Sequence, residues 1–92
     1  MIRLESYPTR REQILTQHAA DTLVLLDPES GEYFALGEVG ARIWELCDGT
    51  RSVADLVEIL CQEYDAPADV IQADLEELLA ELIEAKLVVY GA

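Results

Sequence analysis

Residues 22–36 read Thr-Leu-Val-Leu-Leu-Asp-Pro-Glu-Ser-Gly-Glu-Tyr-Phe-Ala-Leu, and the reading of this stretch decides the fold. Thr22 to Leu26 is a short β-branched and apolar run, which suits a strand covered on both faces. Asp27, Pro28, Ser30 and Gly31 then give a dense turn signal. Glu32 to Leu36 follows as a second strand, so residues 22–36 are expected to form a β-hairpin. Upstream, Glu12 to His18 alternates loosely and supplies a third strand. The chain therefore opens with antiparallel β-structure.

Downstream the period changes from two to about 3.6. Gly37 to Cys47 sets Val39, Ile43, Leu46 and Cys47 on one stripe with Trp44 beside it, and Asp48-Gly49 ends that helix. Ser52 with Asp55 three positions on is a capping-box variant. It opens a second helix whose stripe is Val53, Leu56, Val57, Leu60, Cys61 and Tyr64. Asp65-Ala66-Pro67 breaks the pattern, and a third helix runs to about Ala85 with Ile71, Leu75, Leu78, Leu79 and Leu82 in a narrow arc. Leu87 to Tyr90 is a terminal apolar stretch that packs on the core or adds a strand.

The 92 residues suit one domain, with a core over about 12–90 and a flexible basic arm over 1–11. The arm carries Arg3, Arg10 and Arg11 against Glu5; the rest holds Arg42, Arg51 and Lys86 against eighteen acids. The net charge of −13 disfavours nucleic acid and anionic membranes. No apolar run approaches the ~20 residues of a membrane span, and no signal peptide is visible, so a cytoplasmic protein is expected.

Strand, turn and three helices suggest a helix-turn-helix behind a β-hairpin. The helix that would enter DNA nevertheless carries Asp69, Asp74, Glu76, Glu77, Glu81 and Glu84 against Lys86 alone, which duplex phosphate would repel. Catalytic motifs are missing too. Ser6, Ser30 and Ser52 sit in turn or cap contexts, there is no GxSxG, HExxH or phosphate-cradling glycine loop, and acidic helix faces are ordinarily solvated. Cys47 and Cys61 read as buried free thiols, and the lone His18 has no ligand partner in view. The reading is a non-enzymatic binding domain with no catalytic residue, cofactor or metal.

On the third helix, at ~100° per residue, Asp74 and Glu81 flank the stripe of Ile71, Leu75, Leu78 and Leu82, and Val70 and Glu77 lie just beyond. An apolar seam with an acidic rim suits a partner bearing apolar anchors and basic or backbone donors. Ordinary amphipathicity would give the same pattern.

The order and spacing of these pieces carry a resemblance. Leu25-Leu26-Asp27, Gly31 through Leu36, Ile43-Trp44, Asp48-Gly49, Val53 through Leu60 and Asp74-Leu75…Leu78…Leu82…Leu87 resemble the PqqD-like family over roughly residues 20–89. Family members often have Asn where Gly37 stands, which implies a weaker cap on the first helix here. The resemblance implies an α+β, winged helix-turn-helix-like fold, with an N-terminal three-stranded antiparallel sheet followed by three helices. It also implies capture of the leader segment of a ribosomally made precursor peptide, as an added strand between the third strand and the third helix. The peptide-binding residues would be Glu32, Tyr33, Phe34, Ala35, Leu36, Val70, Asp74, Leu75, Glu77, Leu78 and Glu81. Residues 32–36 would supply main-chain bonds, Tyr33 or Phe34 with Leu75 and Leu78 would form side-chain pockets, and the acids would favour basic leaders. The likeness within the family is greatest to the stand-alone leader-binding protein of split lasso-peptide systems, whose partners are a transglutaminase-like leader peptidase and an asparagine-synthetase-like cyclase. Two alternatives stay open: PqqD proper, serving a radical-SAM enzyme in pyrroloquinoline quinone synthesis, and a generic acidic protein-interaction domain.

Overall fold

A computed structural model describes residues 4–91. Four strands come first: β1 (Tyr7–Arg10), β2 (Leu15–Ala19), β3 (Thr22–Leu26) and β4 (Tyr33–Leu36). Three helices follow, α1 (Glu38–Leu46), α2 (Val53–Glu63) and α3 (Ala68–Glu84), and β5 (Val88–Gly91) closes the order. β2, β3 and β4 form an antiparallel sheet in that spatial order, and β1 pairs antiparallel with β5 in a second, two-stranded sheet. This is the α+β arrangement of a three-stranded sheet and three helices that the sequence implies.

The β3–β4 turn is built by Asp27 and Gly31. The Asp27 carboxylate accepts the Glu29 N–H at 3.0 Å, and Gly31 takes φ +76°, where a side chain would be strained. Gly31 N–H then donates to the Asp27 carbonyl, and Asp27 N–H to that of Glu32. α2 opens on a complete capping box: Asp55 N–H donates to Ser52 Oγ at 3.1 Å, and Ser52 N–H to the Asp55 carboxylate at 3.0 Å. α1 has no such device. Its N-cap is Gly37 and makes no side-chain bond.

Two apolar clusters hold these elements. One joins the three helices through Ile43, Leu46, Leu56, Leu60, Leu75 and Leu79. The other packs Leu23, Leu25 and Leu36 of the sheet onto Trp44, Leu82, Leu87 and Val88. Leu78 touches both.

Three expectations are corrected here. The basic segment is in part a strand, since Tyr7–Arg10 pairs with β5 and Pro8 is buried; Met1, Ile2 and Arg3 lie outside the described residues. The cause is a set of bonds that sequence periodicity does not display. Arg10 donates to the Trp44 and Glu45 carbonyls at the end of α1, at 3.1 and 2.8 Å, and Arg11 donates to the Lys86 carbonyl at 3.0 Å. These guanidinium groups add donors at carbonyls at the end of α1 and just past α3, the Trp44 carbonyl also accepting from the Cys47 N–H. Secondly, β2 begins at Leu15 rather than Glu12, because Ile14 N–H bonds back to the Arg11 carbonyl in a turn. Thirdly, Cys47 is buried but Cys61 is only half-buried, on the margin of the helical cluster.

Candidate peptide-binding groove

Among the described residues β4 is an edge strand, with β3 on one side and nothing paired on the other. The hairpin settles which of its backbone groups are unpaired. Asp27 and Glu32 face each other as a hydrogen-bonded pair, so with antiparallel alternation Leu25–Phe34 and Leu23–Leu36 are hydrogen-bonded pairs too. Leu26–Tyr33 and Val24–Ala35 are the intervening pairs. The N–H and C=O groups of Tyr33 and Ala35 therefore point out from the sheet edge, ready for a further strand. Those of Phe34 and Leu36 are spent on β3.

The same alternation sorts the side chains. Leu36 is buried and Phe34 half-buried; both lie on the inner face, in the cluster with Leu78 and Leu82. Tyr33 and Ala35 lie on the outer face, and Tyr33 is 71% exposed. Beside the inner face, α1 passes close at Gly40. A Cβ on that glycine would lie 3.2 Å from Leu36 Cβ and 3.6 Å from Leu78 Cδ2. Gly40 thus marks where β4, α1 and α3 converge, and its missing side chain lets Leu36 and Leu78 come this close to the helix.

One turn along α3 the junction leads to a pocket of about 320 Å³ between α1 and α3. Its apolar wall includes Val39, Ile43, Tyr64, Val70 and Ile71, and Asp65 and Asp74 contribute carboxylates. Val39 and Val70 are 43% and 47% exposed, more than an apolar side chain in a packed interior. Val70, Asp74, Glu77, Leu78 and Glu81 recur at helical spacing and share this flank of α3. Among the described residues, none of Asp74, Glu77 and Glu81 has an ion-pair partner, whereas Arg42 is held by Glu63 (2.7 Å), Arg51 by Asp48 (3.0 Å) and Arg11 by Glu29 (3.9 Å).

Most of the residues singled out in the sequence thus border one edge and one groove, but three act differently from expectation. Tyr33 cannot share a pocket with Leu75 and Leu78, because strand alternation turns it to the opposite face. Leu75 is fully buried and backs the groove from behind. Glu32 lies in the turn, with its carbonyl bonded to Asp27 and its N–H to Ser30 Oγ, so it lends no main-chain bond to the edge. Sequence reasoning also missed Val39, Gly40, Tyr64 and Asp65. A glycine in the first turn of a helix was the available signal for Gly40, since it weakens the helix unless something must come close.

The chain is similar in sequence and in fold to several known proteins. The chain is 38% identical over 88 residues to a PqqA binding protein of Xanthomonas oryzae pv. oryzae, covering 94% of each. It is 34% identical over the same length to one of Xanthomonas campestris pv. campestris. Two solved structures superpose closely. "TbiB1 in Complex with the TbiA(beta) Leader Peptide" has TM-score 0.77 and 30% identity, over 87% of this chain and 93% of that one. "Lasso peptide synthetase B1 complexed with the leader peptide" has TM-score 0.79 and 28% identity, over 90% and 98%. Residues 22–88 match the family described as coenzyme PQQ synthesis protein D, and they span β3 to the start of β5 with the whole groove. The chain belongs to the PqqD family.

Proposed function

We propose that this protein is a non-catalytic module that captures the leader segment of a ribosomally synthesised precursor peptide. The observation that carries the proposal is the open edge of β4, with the backbone groups of Tyr33 and Ala35 unpaired beside an apolar groove. An extended peptide would bond to these groups as a fourth strand of the sheet. Its inward side chains would reach Phe34, Leu78 and the junction at Gly40. Beyond β4 the chain would enter the pocket between α1 and α3, where Val70 and Asp74 lie. Main-chain bonds supply sequence-tolerant affinity, the apolar groove supplies anchors, and Asp74, Glu77 and Glu81 favour Lys or Arg over acidic residues.

The bound peptide would be handed to a processing enzyme: a transglutaminase-like leader peptidase, with an asparagine-synthetase-like cyclase downstream. The superposition on leader-bound lasso peptide synthetase B1, alongside that on leader-bound TbiB1, supports this choice. The 38% identity to a PqqA binding protein favours a second reading, service to a radical-SAM enzyme in pyrroloquinoline quinone synthesis. Both share the capture step.

That step is tested with an mRNA-displayed library of random 16-residue peptides selected on the immobilised protein, followed by fluorescence anisotropy of a labelled winner. Enriched peptides should bind wild type at micromolar or lower Kd and lose at least about tenfold on Ala35→Pro. Failure to enrich any peptide, or equal binding by the proline variant, contradicts the proposal.

A further inference from the structure

Tyr33 is an aromatic side chain on an edge strand, 71% exposed, turned away from the groove its neighbours line. It is not isolated. In the strand register Leu15 faces Leu26 and Leu26 faces Tyr33, so one side chain from each of β2, β3 and β4 forms a single row across the outer face. Leu15 is 57% exposed and Leu26 37%. Val24 and Ala35, also facing each other, border the row. The row ends at the same open edge where Tyr33 and Ala35 present unpaired backbone groups. Tyr33 is the β4 end of the row and Leu15 its β2 end.

We infer that Tyr33 reads the bound peptide from the outer face, selecting an apolar side chain at the peptide position beside it. The inference rests on strand addition at β4 and deepens it. Whichever way an added strand runs, its side chains alternate between the faces. Those that enter the groove meet Phe34 and Leu78. Those between them emerge beside Tyr33 and Ala35 and extend the row Leu15–Leu26–Tyr33 by one member. Cross-strand neighbours on one face interact, aromatic with β-branched or aromatic partners most favourably. The row is apolar, whereas Glu29 and Glu32 in the adjoining turn are exposed and acidic, so an acidic side chain in that position meets apolar surface and like charge together. The peptide class is therefore one with apolar residues of both parities: inward anchors for the groove, and one outward β-branched or aromatic residue for Tyr33.

The test uses the same random 16-residue displayed library, selected in parallel on wild type, Tyr33→Lys and Ala35→Pro. Tyr33 is largely exposed, so the lysine variant retains the fold, verified by circular dichroism. The wild-type pool should enrich an apolar residue at one position out of phase with the groove anchors. The Tyr33→Lys pool should keep the anchors and change that one position to acidic or polar residues. Wild-type winners should bind the lysine variant about 2- to 5-fold more weakly, in line with a cross-strand pair. An out-of-phase position with no preference in the wild-type pool, or the same preference in both pools, overturns the inference. If Ala35→Pro yields the same binders as wild type, strand addition itself is wrong. If Ala35→Pro loses them while the Tyr33 pools match, only the role of Tyr33 fails.

Discussion

At the scale of single residues, Cys47 and Cys61 show what burial does to chemistry. Cys47 has no exposed surface, and burial pushes its thiol up to about 12, so almost no thiolate exists at neutral pH. Cys61 is only half-buried, at the rim of the helical cluster, where part of its surface meets solvent. Native protein treated with a maleimide at pH 7.5 should therefore label Cys61 within minutes and Cys47 only on unfolding. Equal fast labelling of both would mean that the helical cluster opens readily. Cys47→Ser should cost ~1–2 kcal/mol in denaturant melts, because it replaces a fully buried apolar thiol with a hydroxyl that must be desolvated. The sequence made both cysteines legible as apolar-stripe residues. Their difference was not, because helical periodicity gives the face and not the depth.

At the scale of elements, β4 carries the account. Its place in the hairpin was legible, since Asp27, Pro28, Ser30 and Gly31 signal the turn and Tyr33 to Leu36 follow as a strand. The direction of each residue was not, because it depends on which hairpin pair is hydrogen-bonded, and a shift of one residue exchanges the faces. A proline scan separates the two sets. Ala35→Pro removes an N–H that faces outward, so the domain should stay folded while peptide binding is lost. Phe34→Pro removes one that bonds to β3 and also an inner-face ring, so circular dichroism should report a loss of thermal stability with or without peptide. Gly40 gives a second test. Valine there would push its side chain into the space between Leu36 and Leu78, and should weaken peptide binding at least about tenfold or lower Tm where the junction closes on it. Leu78→Ala should weaken binding by ~1–3 kcal/mol through lost apolar contact. β1 was the element that the sequence hid. Pro8 argues against a strand, and the bonds from Arg10 and Arg11 to the carbonyls of Trp44, Glu45 and Lys86 reach across 34 to 75 positions of chain.

At the scale of the whole molecule, the charge of −13 acts on stability, on partners and on pH response. Mutual repulsion among the acids opposes compactness, so added salt should raise Tm at pH 7, and a duplex DNA gel shift at ~150 mM salt should show no complex. Peptides bearing Lys or Arg should bind more weakly as salt rises, and Asp74→Lys combined with Glu81→Lys should reverse that trend. Against the general repulsion stand a few local pairs. The Arg42 guanidinium donates two bonds to Glu63 and holds that carboxyl below its usual range. Asp48 is lowered in the same direction, first by the Thr50 hydroxyl and then by the Thr50 N–H, with Arg51 adding to it. A carboxyl lowered by folding stabilises the native state above its unfolded value, and that contribution is lost as pH falls through the folded one. The Tm difference between wild type and Arg42→Met should accordingly be present at pH 7 and fade as pH falls below the usual carboxylate range. A difference that persists in acid would assign it to packing of the arginine stem instead.

Amide hydrogen exchange, followed by NMR on the free protein and on the protein saturated with a selected peptide, tests strand addition at β4 most directly. In the free protein the Tyr33 and Ala35 amides should exchange fast and the Phe34 and Leu36 amides slowly, since only the latter pair with β3. On peptide binding the Tyr33 and Ala35 amides should become protected, by at least about tenfold, while Phe34 and Leu36 change little. Saturating peptide that leaves Tyr33 and Ala35 exchanging as fast as before would contradict the account and place the peptide elsewhere on the molecule.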